Sequence, residues 1–66
     1  MLSIEIKLRR NESEVVRYEV MNHFHEAKNV AIEECGMDGY IRFLQKEKGS
    51  RDLRAETPNY VIDIMY

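Results

Sequence analysis

Disulfides are excluded first: the chain has one cysteine, Cys35, so no intramolecular bridge can staple it. An even-numbered cysteine framework of the secreted kind is absent. Long apolar runs are missing too, and nothing approaches the roughly 20 residues that cross a bilayer. The first residues, Met1-Leu2-Ser3-Ile4-Glu5, carry an acid where a secretion signal carries a base followed by an apolar stretch. A cytoplasmic location is the expectation. Proline occurs once and glycine three times, too few for a low-complexity linker, and no internal repeat or tail is evident. There is no large excess of either charge: 10 basic and 12 acidic residues leave a net -2. That balance disfavours a general nucleic-acid binder, which is normally basic, and is too mild for an acidic phosphate mimic.

What is present suits one small globular domain, residues 1–66. Hydrophobic residues make up 44% and charged residues 33%, a composition that folds. A chain of this size buries only about 60% of its unfolded surface, so its core is marginal. Oligomerisation is one way small domains compensate.

Residues 2–9 alternate strictly, with Leu2, Ile4, Ile6 and Leu8 on one side, the mark of a half-buried strand. Polar residues 10–13 read as a turn. Residues 14–21 alternate again, and the more apolar set, Val16, Tyr18 and Val20, is expected to face the core. The two segments predict an antiparallel hairpin. Periodicity changes at Asn22, a good helix cap. Phe24, Ala27, Ala31 and Cys35 then share one helical stripe, and Gly36 stands where a left-handed C-terminal residue is wanted. These features predict a helix over about 23–35, lying close to a sheet through its two alanines.

Residues 39–47 suit a strand with Ile41 and Phe43 inward and Tyr40, Arg42 and Leu44 outward. A helix capped by Asp38 and ended by Gly49 is the alternative; the strand is preferred because a hairpin and a helix need more sheet. Residues 48–58 read as a long connection with room for a helical turn from Ser50. Residues 59–66 alternate with Tyr60, Ile62, Ile64 and Tyr66 together, and Pro58 suits the start of a strand. The resulting expectation is an α+β two-layer fold, ββαββ, with a four-stranded mainly antiparallel sheet and one helix on one face.

Catalytic chemistry is hard to find. On a helix His23 and His25 would lie about 160° apart, too far around the axis to share an ion. If the second strand ran past Asn22 they would share a face. Cys35, at a helix C-terminus beside Glu33 and Glu34, has its thiolate disfavoured. No glycine loop cradles phosphate, and no Ser/His/Asp order suggests acyl transfer. The expectation is no catalytic residue, no metal, no cofactor and no enzyme activity. Gly39-Tyr40-Ile41-Arg42-Phe43 has aromatic spacing of the kind that stacks bases, but the two-helix order of RNA-recognition modules is missing. An ordinary strand with Phe43 in the core explains it.

Binding is the remaining class. With the helix on one face, the other face is expected to carry Val15, Met21, Tyr40, Leu44, Val61 and Met65. An open sheet face is normally polar, so this apolar set reads as a protein interface. The sequence therefore suggests a regulator or inhibitor that occupies a surface of a larger protein, with a homodimer formed through the sheet face or an edge strand. Compact chains of this size are common products of phages and mobile elements. The alternative is a nucleic-acid module in which Arg42, Lys46, Lys48, Arg51 and Arg54 grip phosphates, with Glu47, Asp52 and Glu56 interleaved among them.

Overall fold

The computed structural model describes residues 1–36 and 42–66. Six elements follow one another: β1 (Leu2–Leu8), β2 (Asn11–Met21), α1 (Phe24–Cys35), β3 (Leu44–Gln45), β4 (Leu53–Glu56) and β5 (Tyr60–Met65). The strands form one sheet in the order β2-β1-β5-β4-β3, and every pairing is antiparallel. The expected two-layer α+β arrangement is therefore present, with five strands rather than four.

The helix side of the sheet follows from β1 and β5. Ile4, Ile6, Ile62 and Ile64 are fully buried there and pair across the two central strands, Ile4 with Ile64 and Ile6 with Ile62. Ala27 and Ala31 are equally buried and press the helix onto these isoleucines. Small side chains at those two helical positions let the backbone approach, as the sequence predicts. Phe24, Val30, Ile32 and Cys35 fill the margins, and Phe43 meets Phe24 edge-on at 5.5 Å between ring centroids. Edge-to-face contact suits the aromatic quadrupole. Gly36 ends the helix at φ 64°, donating its N–H to the Ile32 carbonyl. That left-handed geometry is costly for any residue with a Cβ.

Three expectations need correction. The helix cap is His23, not Asn22, and His23 makes no side-chain capping bond. Instead the Asn22 N–H donates to the Glu26 carboxylate, which reaches back from the first turn. Residues 48–58 are not one long connection. After a turn through Gly49 (φ 82°), Leu53–Glu56 pairs with β5 as a fourth antiparallel strand, and Ala55 enters the core. The tight turn that joins β4 to β5 uses Pro58. Its anchor is Thr57, whose N–H donates to the Tyr60 carbonyl and whose hydroxyl accepts from the Tyr60 N–H, both at 2.9 Å.

The third correction concerns β2 and matters most. Leu2 stands opposite Met21, Ile4 opposite Glu19 and Ile6 opposite Arg17. Cross-strand partners share a face, so Arg17, Glu19 and Met21 lie on the helix side, and Val16, Tyr18 and Val20 point away from the helix. Met21 is buried at 9% exposure, whereas Tyr18 and Val20 are each 54% exposed. The turn and the register shifts after it explain the inversion together. Arg9 and Arg10 form a two-residue connection that sets Leu8 opposite Asn11, which places odd residues of β2 with even residues of β1. Register shifts on either side of Lys7 then lengthen β2 locally, so that Val15 faces Lys7 and Val16 is the extra residue before Arg17. On the helix side Arg17 is not stranded: its guanidinium lies 3.2 Å from Glu19, 3.4 Å from Glu34 and 3.6 Å from Glu33.

Among the described residues no helix is long and apolar enough to cross a membrane. Of the ambiguous stretch 39–47, the part within the described residues is strand at Leu44–Gln45. Phe43 packs inward and Leu44 stands exposed, as the strand reading expects. Tyr40, Ile41 and Asp38 fall outside the described residues.

Candidate functional site: the outer sheet face and its edges

The face turned away from the helix is organised in cross-strand rows. One row runs Val20, Ser3, Met65. The next runs Tyr18, Glu5, Asp63, Arg54, Leu44. A third runs Val15, Lys7, Val61, Glu56. The centre of this face is ionic and its corners are apolar.

The ionic centre is built around Asp63. Its side chain is only 2% exposed although it lies on the face turned away from α1. Arg54 grips both carboxylate oxygens, donating from Nε to Oδ1 at 2.7 Å and from Nη2 to Oδ2 at 3.2 Å. Such bidentate pairs are among the stronger charge-assisted bonds. Lys7 Nζ lies 2.9 Å from Glu5 and 3.8 Å from Asp63. The hydrogen bond to Glu5 raises the Lys7 pKa above its usual 10.5, and the nearby charges of Glu5 and Asp63 add to it. The Arg54 pKa is raised likewise, first by its bond to Asp63 and further by the charges of Asp63, Glu12 and Glu56. This network covers the middle of the sheet with long side chains and leaves no buried side-chain polar atom unpaired among the described residues.

The main apolar corner is formed by Tyr18 and Val20 from β2, Met65 and Tyr66 at the end of β5, and Met1. Together with Leu2 and Ser3 they line a shallow groove. Tyr66 is 50% exposed and lies 5.4 Å beneath the Arg51 guanidinium, a cation–π spacing.

The residues expected at the interface are not all gathered in this corner. Val15 and Val61 share the third row with Lys7 between them; Val15 is exposed and Val61 is buried. Met65 belongs to the corner. Leu44 is exposed on the same face but lies beyond Asp63 and Arg54, at the far edge. Met21 is excluded, being in the core on the opposite side. Tyr40 lies outside the described residues. Tyr18, Val20 and Tyr66, which the alternation pattern assigned to the core, are the exposed members the sequence reading missed.

Of the basic set, Arg42, Lys46, Lys48 and Arg51 are exposed on and around the β3–β4 hairpin. Arg54 is half-buried and committed to Asp63, so it differs from the other four as a phosphate ligand. Arg42, Lys46 and Arg54 share one groove with Leu44, Gln45 and Glu56.

His23 and His25 come together despite their spacing. Because His23 is extended at the cap (φ -131°, ψ 146°), its ring stacks on that of His25 at 5.4 Å. No third ligand joins them: among the described residues no group of three His, Cys, Asp or Glu side chains is placed to hold a metal. At the other end of the helix, burial pushes the Cys35 thiol above its usual 9.0 and the Glu34 charge adds to the effect. Alkylation of Cys35 by iodoacetamide at pH 8 is therefore expected to run several-fold slower than that of a free cysteine, and to recover on unfolding in urea. A rate equal to the free thiol would show that the helix end is open.

Family profiles, curated proteins and solved structures all yield no match to this chain.

Proposed function

We propose that this chain is a protein-binding regulator or inhibitor, without catalytic activity of its own, that occupies a surface of a larger protein through the outer face of its sheet. One observation carries the reading: Tyr18, Val20 and Tyr66 are exposed around a partly buried Met65 on a paired sheet, beside a satisfied ionic centre. Apolar side chains held on paired strands lose little entropy on binding, and aromatic anchors dominate the energetics of many interfaces. Glu5, Lys7, Asp63 and Arg54 form the polar border such a contact needs, and they are already oriented by one another.

The test is affinity capture from the host lysate with the immobilised chain, with and without nuclease. A stoichiometric protein that withstands nuclease is expected. Met65→Glu with Tyr66→Ser should weaken its retention by about 2 kcal/mol or more, the range of an interface hot spot. Lys46→Ala, Lys48→Ala and Arg51→Ala together should leave it unchanged. The opposite pattern, loss on nuclease treatment and on removal of the three cations, would overturn the reading in favour of nucleic acid on the β3–β4 hairpin.

A further inference from the structure

The sheet has two edges of very different character. At one end β3 is two residues long, a short edge of the kind that resists further pairing. At the other, β2 runs for 11 residues and has no partner on its outer side among the described residues. Asn11–Met21 holds neither lysine nor proline; what guards this edge is the irregularity at Val15 and Val16 and the inward charges of Arg17 and Glu19, and those two charges are of opposite sign. Such a strand is a template for another strand, and its own sequence indicates which.

The segment Val16-Arg17-Tyr18-Glu19-Val20 is complementary to itself when reversed. Place a second copy antiparallel to it with the two-fold axis between the two Tyr18 residues. Val16 then faces Val20 of the other copy, Arg17 faces its Glu19, and the two tyrosines face each other. The pairs are apolar with apolar on the outer face and opposite charges on the helix face. Cross-strand pairs of these types stabilise antiparallel sheets, and like charges directly opposite do the reverse. Shifting the axis by one residue keeps the faces matched but sets Arg17 against Arg17, or Glu19 against Glu19. Charge therefore selects one register among its neighbours. Arg17, Tyr18, Glu19 and Val20 of this segment lie in the regular stretch of β2, which runs to Met21, and Val16 is the extra residue just before it.

We infer that the chain pairs with a second copy of itself through β2, in antiparallel register centred on Tyr18, to give a continuous ten-stranded sheet. A two-fold axis perpendicular to the sheet keeps both helices on one face and both apolar corners on the other. The inference does not rest on the larger partner: it uses the backbone edge of β2, and Met65 and Tyr66 stay uncovered.

Charge reversal in two separate variants tests it. Wild type is expected at twice the chain mass of 7.9 kDa in sedimentation equilibrium. Arg17→Glu alone sets carboxylate against carboxylate at both charged pairs, and Glu19→Arg alone sets guanidinium against guanidinium. Each variant should run as a monomer. Mixed in equal amounts they restore both attractive pairs, so the mixture should return to the doubled mass as a one-to-one heterodimer. A wild type that stays at 7.9 kDa up to millimolar concentration, single variants that remain dimeric, or a mixture that stays monomeric would each overturn the register.

Arg17→Glu also removes contacts to Glu33 and Glu34, so a second design covers a failure to fold. In a Cys35→Ser background, Tyr18→Cys places two thiols opposite each other at about 4.5–5.5 Å between Cβ atoms. Oxidised glutathione should convert that variant to a covalent dimer by thiol–disulfide exchange, releasing reduced glutathione. Val20→Cys, whose counterpart is Val16 in the other copy, should not cross-link. Equal cross-linking of the two, or none at Tyr18→Cys, contradicts the axis.

Discussion

Arg54→Met is expected to destabilise the fold by about 3 kcal/mol, and Asp63→Val on top of it to return most of that loss. The reason lies in where the carboxylate sits. Asp63 is 2% exposed in the middle of a sheet face, held by two bonds from Arg54 with Lys7 at the longer distance of 3.8 Å. Removing Arg54 strands a buried charge, a loss of about 3–5 kcal/mol in comparable cases; the nearby lysine places the effect at the lower end. The chain has little in reserve, since about 0.05–0.15 kcal/mol per residue gives roughly 3–10 kcal/mol in all. Replacing both members by apolar side chains removes the desolvated charge along with its partner, an exchange that is often neutral. Asp63→Val alone should be milder than Arg54→Met, because Arg54 is about a third exposed and turns to water. Urea unfolding of the four proteins in the cycle measures this, provided the m-value stays constant. Strictly additive losses would mean the pair is not coupled.

Ile62→Ala should cost about 2–5 kcal/mol, a large share of the chain's total stability. Ile62 is fully buried in β5, opposite Ile6 on one side and Ala55 on the other. Its neighbours belong to paired strands and cannot collapse into the space. Val20→Thr supplies the contrast. The two side chains are nearly the same shape and both are β-branched, and Val20 faces solvent. Its effect should stay within about 0.5 kcal/mol. If Val20 faced the core, as alternation alone suggests, burying a hydroxyl there would cost far more. Comparing the two urea midpoints therefore tests the β2 register along with the core.

What could be read directly from sequence were the elements with one dominant pattern. β1 and β5 alternate cleanly, and their isoleucines meet as expected. The helix announced itself by Phe24, Ala27, Ala31 and Cys35, and its end by Gly36. β2 offered two stripes, and the more apolar one lost. Its register is set by the short Arg9–Arg10 turn together with the two register shifts around Lys7, and Arg17 tolerates the helix side because Glu33 and Glu34 reach it. The parity that the two-residue turn imposes survives to Tyr18 and Val20 only because the two register shifts around Lys7 are both odd and cancel, and no pattern in the sequence announces those shifts. β4 was harder: Leu53-Arg54-Ala55-Glu56 has no β-branched residue, and pairing with β5 makes it a strand against its local preference. The ionic centre around Asp63 was invisible for the same reason, since its members come from β1, β4 and β5. Val15, Leu44, Val61 and Met65 lie on the outer face as expected, Val61 being buried there, whereas Met21 follows β2 into the core and Tyr40 lies outside the described residues.

The most direct measurement is hydroxyl-radical footprinting of the chain alone and with its captured partner, read at tyrosine, methionine, histidine, phenylalanine and leucine side chains. Tyr18, Met65 and Tyr66 should react in the free chain and lose reactivity in the complex, with His23 and His25 at the helix start unchanged. Protection confined to the helix or to residues 42–51, with Met65 and Tyr66 still fully reactive, would contradict the assignment of the outer sheet face as the working surface.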